Sequence, residues 1–156
     1  MCCLTDSGKI TTDIDSLRSE IRDKSVRVID VRREDDYKQD HIPTAVNLPL
    51  ANLLSDDSPE SVLKLMNNMG IDNETSVVVY DDTFGALASR VAWTFEYLGH
   101  SDVSLLETTY SNWKSLELES DSKIPEIQHK EHTLNLQPNI LATADYLQSA
   151  KERNDV

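Results

Sequence analysis

Three short apolar runs rich in β-branched residues constrain this chain more than any other feature: VRVIDV (26–31), SVVVYD (76–81) and DVSLLE (102–107). Each is bounded by charge or turn residues, as strands are in a parallel sheet covered on both faces. Helix-like patterns lie between them. DIDSLRSEIRDK (13–24) sets Ile14, Leu17 and Ile21 at spacings of three and four, with Asp13 placed to cap. SPESVLKLMNNMG (58–70) offers Ser58 as N-cap, Pro59 in the first turn, an apolar stripe of Val62, Leu65, Met66 and Met69, and Gly70 as a stop. ALASRVAWTFEYLG (86–99) carries Leu87, Val91, Phe95 and Leu98 on one face and ends at Gly99. Strands alternating with helices imply right-handed crossovers and an α/β fold with a parallel sheet.

Composition narrows the function. Twenty-eight Asp and Glu against 15 Lys and Arg give a formal charge of -13, with 38% of residues apolar. That apolar share suits a globular core. The charge repels phosphate backbones and anionic membrane surfaces, which argues against nucleic acid and membrane as partners. No apolar run reaches the length of a membrane span, and the expected location is the cytoplasm. The two cysteines, Cys2 and Cys3, are adjacent at the N-terminus. Neighbours rarely make a relaxed disulfide, and two thiols do not make a zinc site, so both are expected to be reduced.

Residues 117–138 are polar, irregular and interrupted by Pro125, and read as a linker or a strap over the surface, with TLNL (133–136) as a possible short strand. The tail, 139–156, is an amphipathic helix signal whose ILATADYL (140–147) echoes ITTDIDSL (10–17). The first copy runs on through charged helix into VRVIDVR, whereas the second meets Asp155-Val156. The expected organisation is a complete α/β unit at 1–116, the strap, and the opening helix of a second unit at 139–156.

Three stretches taken in order, VIDVRREDDYKQDHIPTAVNLP (28–49), VVVYDDTFGALASR (77–90) and LGHSDVSLLETTYSNW (98–113), resemble the rhodanese (sulfurtransferase) family over about Ile10 to Trp113. The likeness is closest to the cysteine-less N-terminal domain of tandem thiosulfate or 3-mercaptopyruvate sulfurtransferases. It implies a three-layer α/β/α domain around a parallel sheet of roughly five strands. It implies no cofactor and no metal, and it implies a partner: a second rhodanese domain of the same protein beyond Val156, with a small sulfur anion at the domain interface. Departures stand out as well. Asp40 and Thr44 replace the two glycines flanking His-Ile-Pro, and Thr108-Thr109 replace a glycine pair before Trp113, so these loops are expected to differ in backbone path.

The departure with chemical consequence is Asp81. In active members that strand ends in a cysteine, and the next loop converges N–H groups on its sulfur to lower the thiol pKa and hold a persulfide anion. A carboxylate is a poor nucleophile toward sulfur and forms no comparable persulfide. The loop Asp81, Asp82, Thr83, Phe84, Gly85, Ala86 is therefore expected to look like an active site and to lack its nucleophile. With Arg90 nine residues after Asp81, the loop is longer than the usual one and is expected not to centre its N–H groups on position 81. Asp81 and Asp82 have a plainer use as acceptors for the free N–H groups of a helix start, worth about 1 kcal/mol for a cap. Arg32 and Arg90 are the substrate-binding candidates. For Arg32 the resemblance favours pairing with a buried carboxylate, and for Arg90 a surface ion pair is the commoner outcome. His41 is expected to satisfy backbone groups, Trp93 and Trp113 to anchor the core, and His100, His129 and His132 carry no assignment. Two other readings compete: a stand-alone non-catalytic binding module, and a magnesium-dependent aspartyl phosphotransferase built on Asp81.

Overall fold

A computed structural model describes residues 10–141. Cys2, Cys3 and nearly all of the tail helix expected at 139–156 lie outside the described residues. Five strands form one sheet: β1 (Thr11–Thr12), β2 (Val26–Asp30), β3 (Val46–Asn47), β4 (Ser76–Tyr80) and β5 (Val103–Leu106). Their order is β1-β5-β4-β2-β3 and every pairing is parallel. Among the described residues six α-helices flank them: α1 (Ile14–Arg22), α2 (Glu34–Gln39), α3 (Leu50–Ser55), α4 (Pro59–Asn68), α5 (Ala88–Tyr97) and α6 (Tyr110–Ser115).

The apolar runs behave as their composition requires. In central β4, Val77 and Val79 join a core with Leu53 of α3, Val62 and Met66 of α4, and Val91 and Phe95 of α5. Val78 and Tyr80 point into a second core with Leu17 of α1, Tyr37 of α2, and Tyr110 and Trp113 of α6. Alternate residues of one strand thus bury themselves in opposite layers, which is why the run is apolar throughout. The result is a three-layer α/β/α domain.

Two short strands, β1 and β3, escape a sequence reading because two residues carry no periodic signal. Helix boundaries agree with the sequence apart from their caps. The Asp13 carboxylate accepts from Ser16 N at 2.7 Å as expected. Ser58 does not cap α4 with its side chain. Asp56 braces the turn before it instead, accepting from Ser58 N at 3.2 Å and from the Ser61 hydroxyl at 2.5 Å.

Residues 117–137 form an extended strap, and TLNL is not a strand. Its backbone serves helix ends instead: Asn135 N donates to Leu98 O at 2.9 Å and Gln137 N to Tyr97 O at 2.8 Å, satisfying carbonyls that α5 leaves free. Glycine makes this approach possible. A Cβ on Gly99, whose φ is +99°, would lie 2.5 Å from Asn135 O. Leu134 and Ile127 add apolar contacts to the α4–α5 side of the core. Trp113 is fully buried, but Trp93 is only half-buried, its indole N–H donating to Ile140 O, past the end of the strap, at 3.4 Å. The expectation that it anchors the core is corrected: Trp93 belongs to neither buried cluster and stacks instead on Tyr97 of its own helix.

Candidate functional site

Parallel strands end together, and the carboxyl ends of β2 and β4 deliver Asp30, Tyr80 and Asp81 to one edge of the sheet. After Asp81 the chain turns through Phe84 (φ +55°) and Gly85 (φ +88°) before entering α5. Two successive left-handed residues turn the loop's amides inward. Four backbone N–H groups reach the Asp81 carboxylate, all at 2.9 Å: those of Thr83 and Gly85 on Oδ1, and those of Leu87 and Ala88 on Oδ2. The Thr83 hydroxyl adds a fifth donor at 2.8 Å on Oδ2. Leu87 and Ala88 open α5, so their N–H groups are among the orphans of a helix start and carry its positive dipole end.

The side chain at position 81 therefore sits at the focus of an anion cradle and fills it. Asp81 is 1% exposed. Burial alone would raise its pKa, but the N–H groups of Ala88, Gly85 and Thr83, with the Thr83 hydroxyl, together hold it below the ordinary carboxylate range. The expectation that the longer loop fails to centre its amides is thus corrected. The extra residues are taken up in the left-handed turn at Phe84-Gly85, and the convergence survives. Ala86 stands apart, its N–H donating to Thr83 O at 3.3 Å.

Asp82 serves a different helix. Its carboxylate accepts from Ser111 N and from the Ser111 hydroxyl, each at 2.7 Å, at the start of α6. Tyr110 N donates to Asp81 O at 3.0 Å, fastening the same helix to the loop. Phe84, at the tip, is 92% exposed.

Beneath the cradle lies a buried polar knot. Asp30 accepts from the Arg32 guanidinium at 2.7–3.1 Å, from Arg32 N at 2.9 Å and from the Tyr80 hydroxyl at 2.6 Å. Arg32 also donates to Asp40 O at 2.7 Å and lies 3.8 Å above the Tyr110 ring. Burial lowers its pKa, yet the bonds and charge of Asp30 more than reverse this. Arg32 is thereby engaged by the protein itself. His41 meets Tyr37 O and Lys123 O, both at 2.9 Å, as expected of a ring that satisfies backbone groups. Arg90 lies outside the cradle: it donates to the Thr94 hydroxyl at 2.8 Å, pairs with Asp57 at 3.1 Å and stacks over Trp93 at 5.1 Å.

A match to the rhodanese-like domain model spans residues 13–116, well over half of the chain. The chain belongs to the rhodanese-like domain family. Among its relatives is a thiosulfate sulfurtransferase of Corynebacterium glutamicum, 35% identical over 96 residues, covering 58% of this chain and 32% of the relative. The thiosulfate sulfurtransferase of Mus musculus is 31% identical over 142 residues, covering 78% of this chain and 48% of the relative. The fold is shared with the 3-mercaptopyruvate sulfotransferase SseA of Escherichia coli: the TM-score is 0.81 at 23% identity, over 93% of this chain and 62% of that one. The rhodanese-like chain thus spans about a third to a half of the length of these curated relatives.

Two loops of this rhodanese-like domain carry other residues where the resemblance places glycines. Thr44 keeps a left-handed backbone, φ +71°, despite its branched side chain, while Asp40 takes an extended conformation open to any residue, φ -165°. Thr109, in place of a glycine, caps α6 by accepting from Asn112 N at 3.1 Å. Sequence reasoning also missed a histidine pair. His100 Nδ1 and His132 Nε2 lie 3.1 Å apart, buried between the α5–β5 turn and the strap. Thirty-two residues separate them in the chain, so no local pattern announces the contact. Among the described residues, no group of three or more His, Cys, Asp or Glu is placed to hold a metal ion, and no helix is long and apolar enough to cross a membrane.

Proposed function

We propose that this chain is the non-catalytic rhodanese-like half of a thiosulfate/3-mercaptopyruvate-type sulfurtransferase. It acts as scaffold and as one wall of a cleft, facing a second rhodanese-like domain beyond Val156 that supplies the nucleophilic cysteine. The observation that carries this reading is the Asp81 carboxylate at the focus of four amides and a hydroxyl. Sulfur transfer through a persulfide needs a soft thiolate at that focus, one that takes a sulfane sulfur from a donor and yields it to an acceptor. A hard, already ionised carboxylate does neither, and it uses the very donors that would stabilise the persulfide. Arg90, on the α5 flank with Trp93, is the more exposed of the two candidate arginines, and meeting a small sulfur anion at the interface would require it to exchange its ion pair with Asp57. The proposed cleft wall is consistent with the exposed Phe84 and with the share of the relatives' length that the chain covers. We place the parent protein in the cytoplasm.

The same exposed Phe84 also suits a stand-alone binding module that docks a protein partner without chemistry. The coding sequence after Val156 separates the two: a strand-ending cysteine loop about one domain further on supports the tandem enzyme, and a stop codon supports the module. The phosphotransferase reading is disfavoured because both Asp81 oxygens already accept donors and present no free face to a phosphoryl group. The direct test supplies the purified chain with thiosulfate and cyanide. Thiocyanate stays at the buffer level, and steady turnover by a Cys2→Ser/Cys3→Ser variant overturns the assignment of the loop.

A further inference from the structure

The end of the sheet opposite the cradle holds a cavity of about 250 Å³, where β2 and β4 begin. Lys24, Arg27 and Lys130 line it, together with Ser25, Asp72 and Glu74. Three cations against two carboxylates make it locally positive, in a chain of net charge -13. The carboxylates are also unevenly available. Asp72 is occupied by the Thr75 hydroxyl at 2.7 Å, Glu74 N at 3.0 Å and Lys130 Nζ at 3.6 Å, and Glu74 is exposed. Neither Lys24 nor Arg27 forms an ion pair among the described residues.

Arg27 is the unusual member. It is only half exposed, its Nε is buried with no hydrogen-bond partner, and burial lowers its pKa with no carboxylate to offset the effect. A guanidinium half-withdrawn from water normally has a counter-anion, and here the protein provides none. Its fork lies against Gly70 and the strap. One terminal nitrogen, Nη2, lies 3.3 Å from where a Cβ on Gly70 would be, and Gln128 O of the strap lies 2.9 Å from that same point. Glycine with φ +73° is what lets the strap and the guanidinium approach each other so closely.

We propose that this cavity binds a small tetrahedral oxyanion of the sulfate, phosphate and thiosulfate class. The terminal nitrogens of Arg27 take two of its oxygens, and the ammonium groups of Lys24 and Lys130 take the others. Because Lys130 belongs to the strap whereas Lys24 and Arg27 belong to the domain body, a bound oxyanion ties the strap down. The site is independent of the sulfurtransferase reading: it lies at the amino ends of the strands and uses none of the cradle residues.

Amide chemical shifts of the full 156-residue chain, titrated with sulfate, phosphate or thiosulfate at constant ionic strength, test the proposal. Saturable shifts are expected at residues 24–27, 70, 75–76 and 130. Arg27→Gln weakens binding by at least about tenfold, a loss of roughly 1.4 kcal/mol. Lys24→Gln changes an exposed side chain whose loss does not threaten the fold, and weakens binding severalfold. Non-saturating shifts overturn the proposal, as do equal responses to acetate or chloride. It also fails if Lys24→Gln and Arg27→Gln both titrate like the parent chain, or if the shifts fall on residues 83–88 instead.

Discussion

Replacing Asp81 by Asn tests whether the carboxylate is the keystone of its loop. The change preserves size and keeps one acceptor oxygen, which continues to serve two of the four N–H donors. The new NH₂ group then faces the other two, donor against donor. Two hydrogen bonds to a charged acceptor are lost, each worth about 1.5–3 kcal/mol, and buried N–H groups are left unpaired. A destabilisation of about 4 kcal/mol follows, a large part of a domain's typical 5–15 kcal/mol. The melting temperature falls by about 15 °C for a domain of this size. Urea unfolding followed by the fluorescence of buried Trp113 measures the difference. Hydrogen exchange at Thr83, Gly85, Leu87 and Ala88 reports where it arises. The pH dependence supplies an internal check. Asp81 has a folded pKa below its ordinary value, so the unfolded chain takes up the proton first as acid is added. Its stabilisation is whole above about pH 5 and is lost as the pH falls through the folded value. Asn does not titrate, so the gap between the two proteins is constant above about pH 5 and narrows as the pH falls below it. Stabilities equal within about 0.5 kcal/mol, or a gap unchanged with pH, would refute the reasoning, since ordinary surface substitutions stay in that range.

Three further outcomes are expected. Asp81→Cys places a thiol at the focus of the cradle, and its pKa falls below the usual value of about 8.5; thiolate ultraviolet absorbance across pH measures it, and an ordinary thiol titration contradicts the converging amides. The parent chain loses stability as the pH drops below about 6.5, because burial lowers the pKa of His100, aided by the charge of His132, and burial likewise lowers that of His132. His132→Gln, which does not charge in that range, flattens this slope in denaturation curves. Thr44→Gly relieves a branched residue at φ +71° and raises stability by about 1 kcal/mol after the extra freedom of the unfolded chain is deducted, read from urea midpoints.

The elements legible in the sequence are those whose cause is local. Helix α1 announces itself through its stripe and Asp13, and α5 through Val91, Phe95, Leu98 and Gly99, because caps and stripes act within a few residues. The central strands are legible because burial on both faces demands apolar residues throughout. What stayed hidden depends on distance along the chain. Strands β1 and β3 exist only because β5 and β2 offer them an edge. The His100–His132 contact, the Arg27 cavity and the docking of residues 135 and 137 on α5 all need the strap in place. Counting residues between Asp81 and Arg90 misjudged the loop, because two left-handed residues shorten a path that reads as long.

In the cradle, the side chain at the focus decides what the loop can still bind. Converging amides at a helix start attract whatever anion comes near, and in a sulfur-transferring loop that anion is a persulfide arriving by reaction. Here it is part of the chain. A tethered carboxylate competes as an intramolecular ligand whose effective concentration is at least millimolar, and it has no translational freedom left to lose on binding. A dissolved sulfur anion meets donors already taken and a like charge in the centre. What the loop keeps is shape: the turn holds Phe84 outward in a backbone conformation unfavourable to a bulky residue, closed by the five donors on Asp81 and by the bonds of Ala86 N to Thr83 O and Ser89 N to Gly85 O. The group that occupies the donors is also the group that shapes the turn, so removing the carboxylate is expected to disturb the position of the exposed Phe84 together with the cradle.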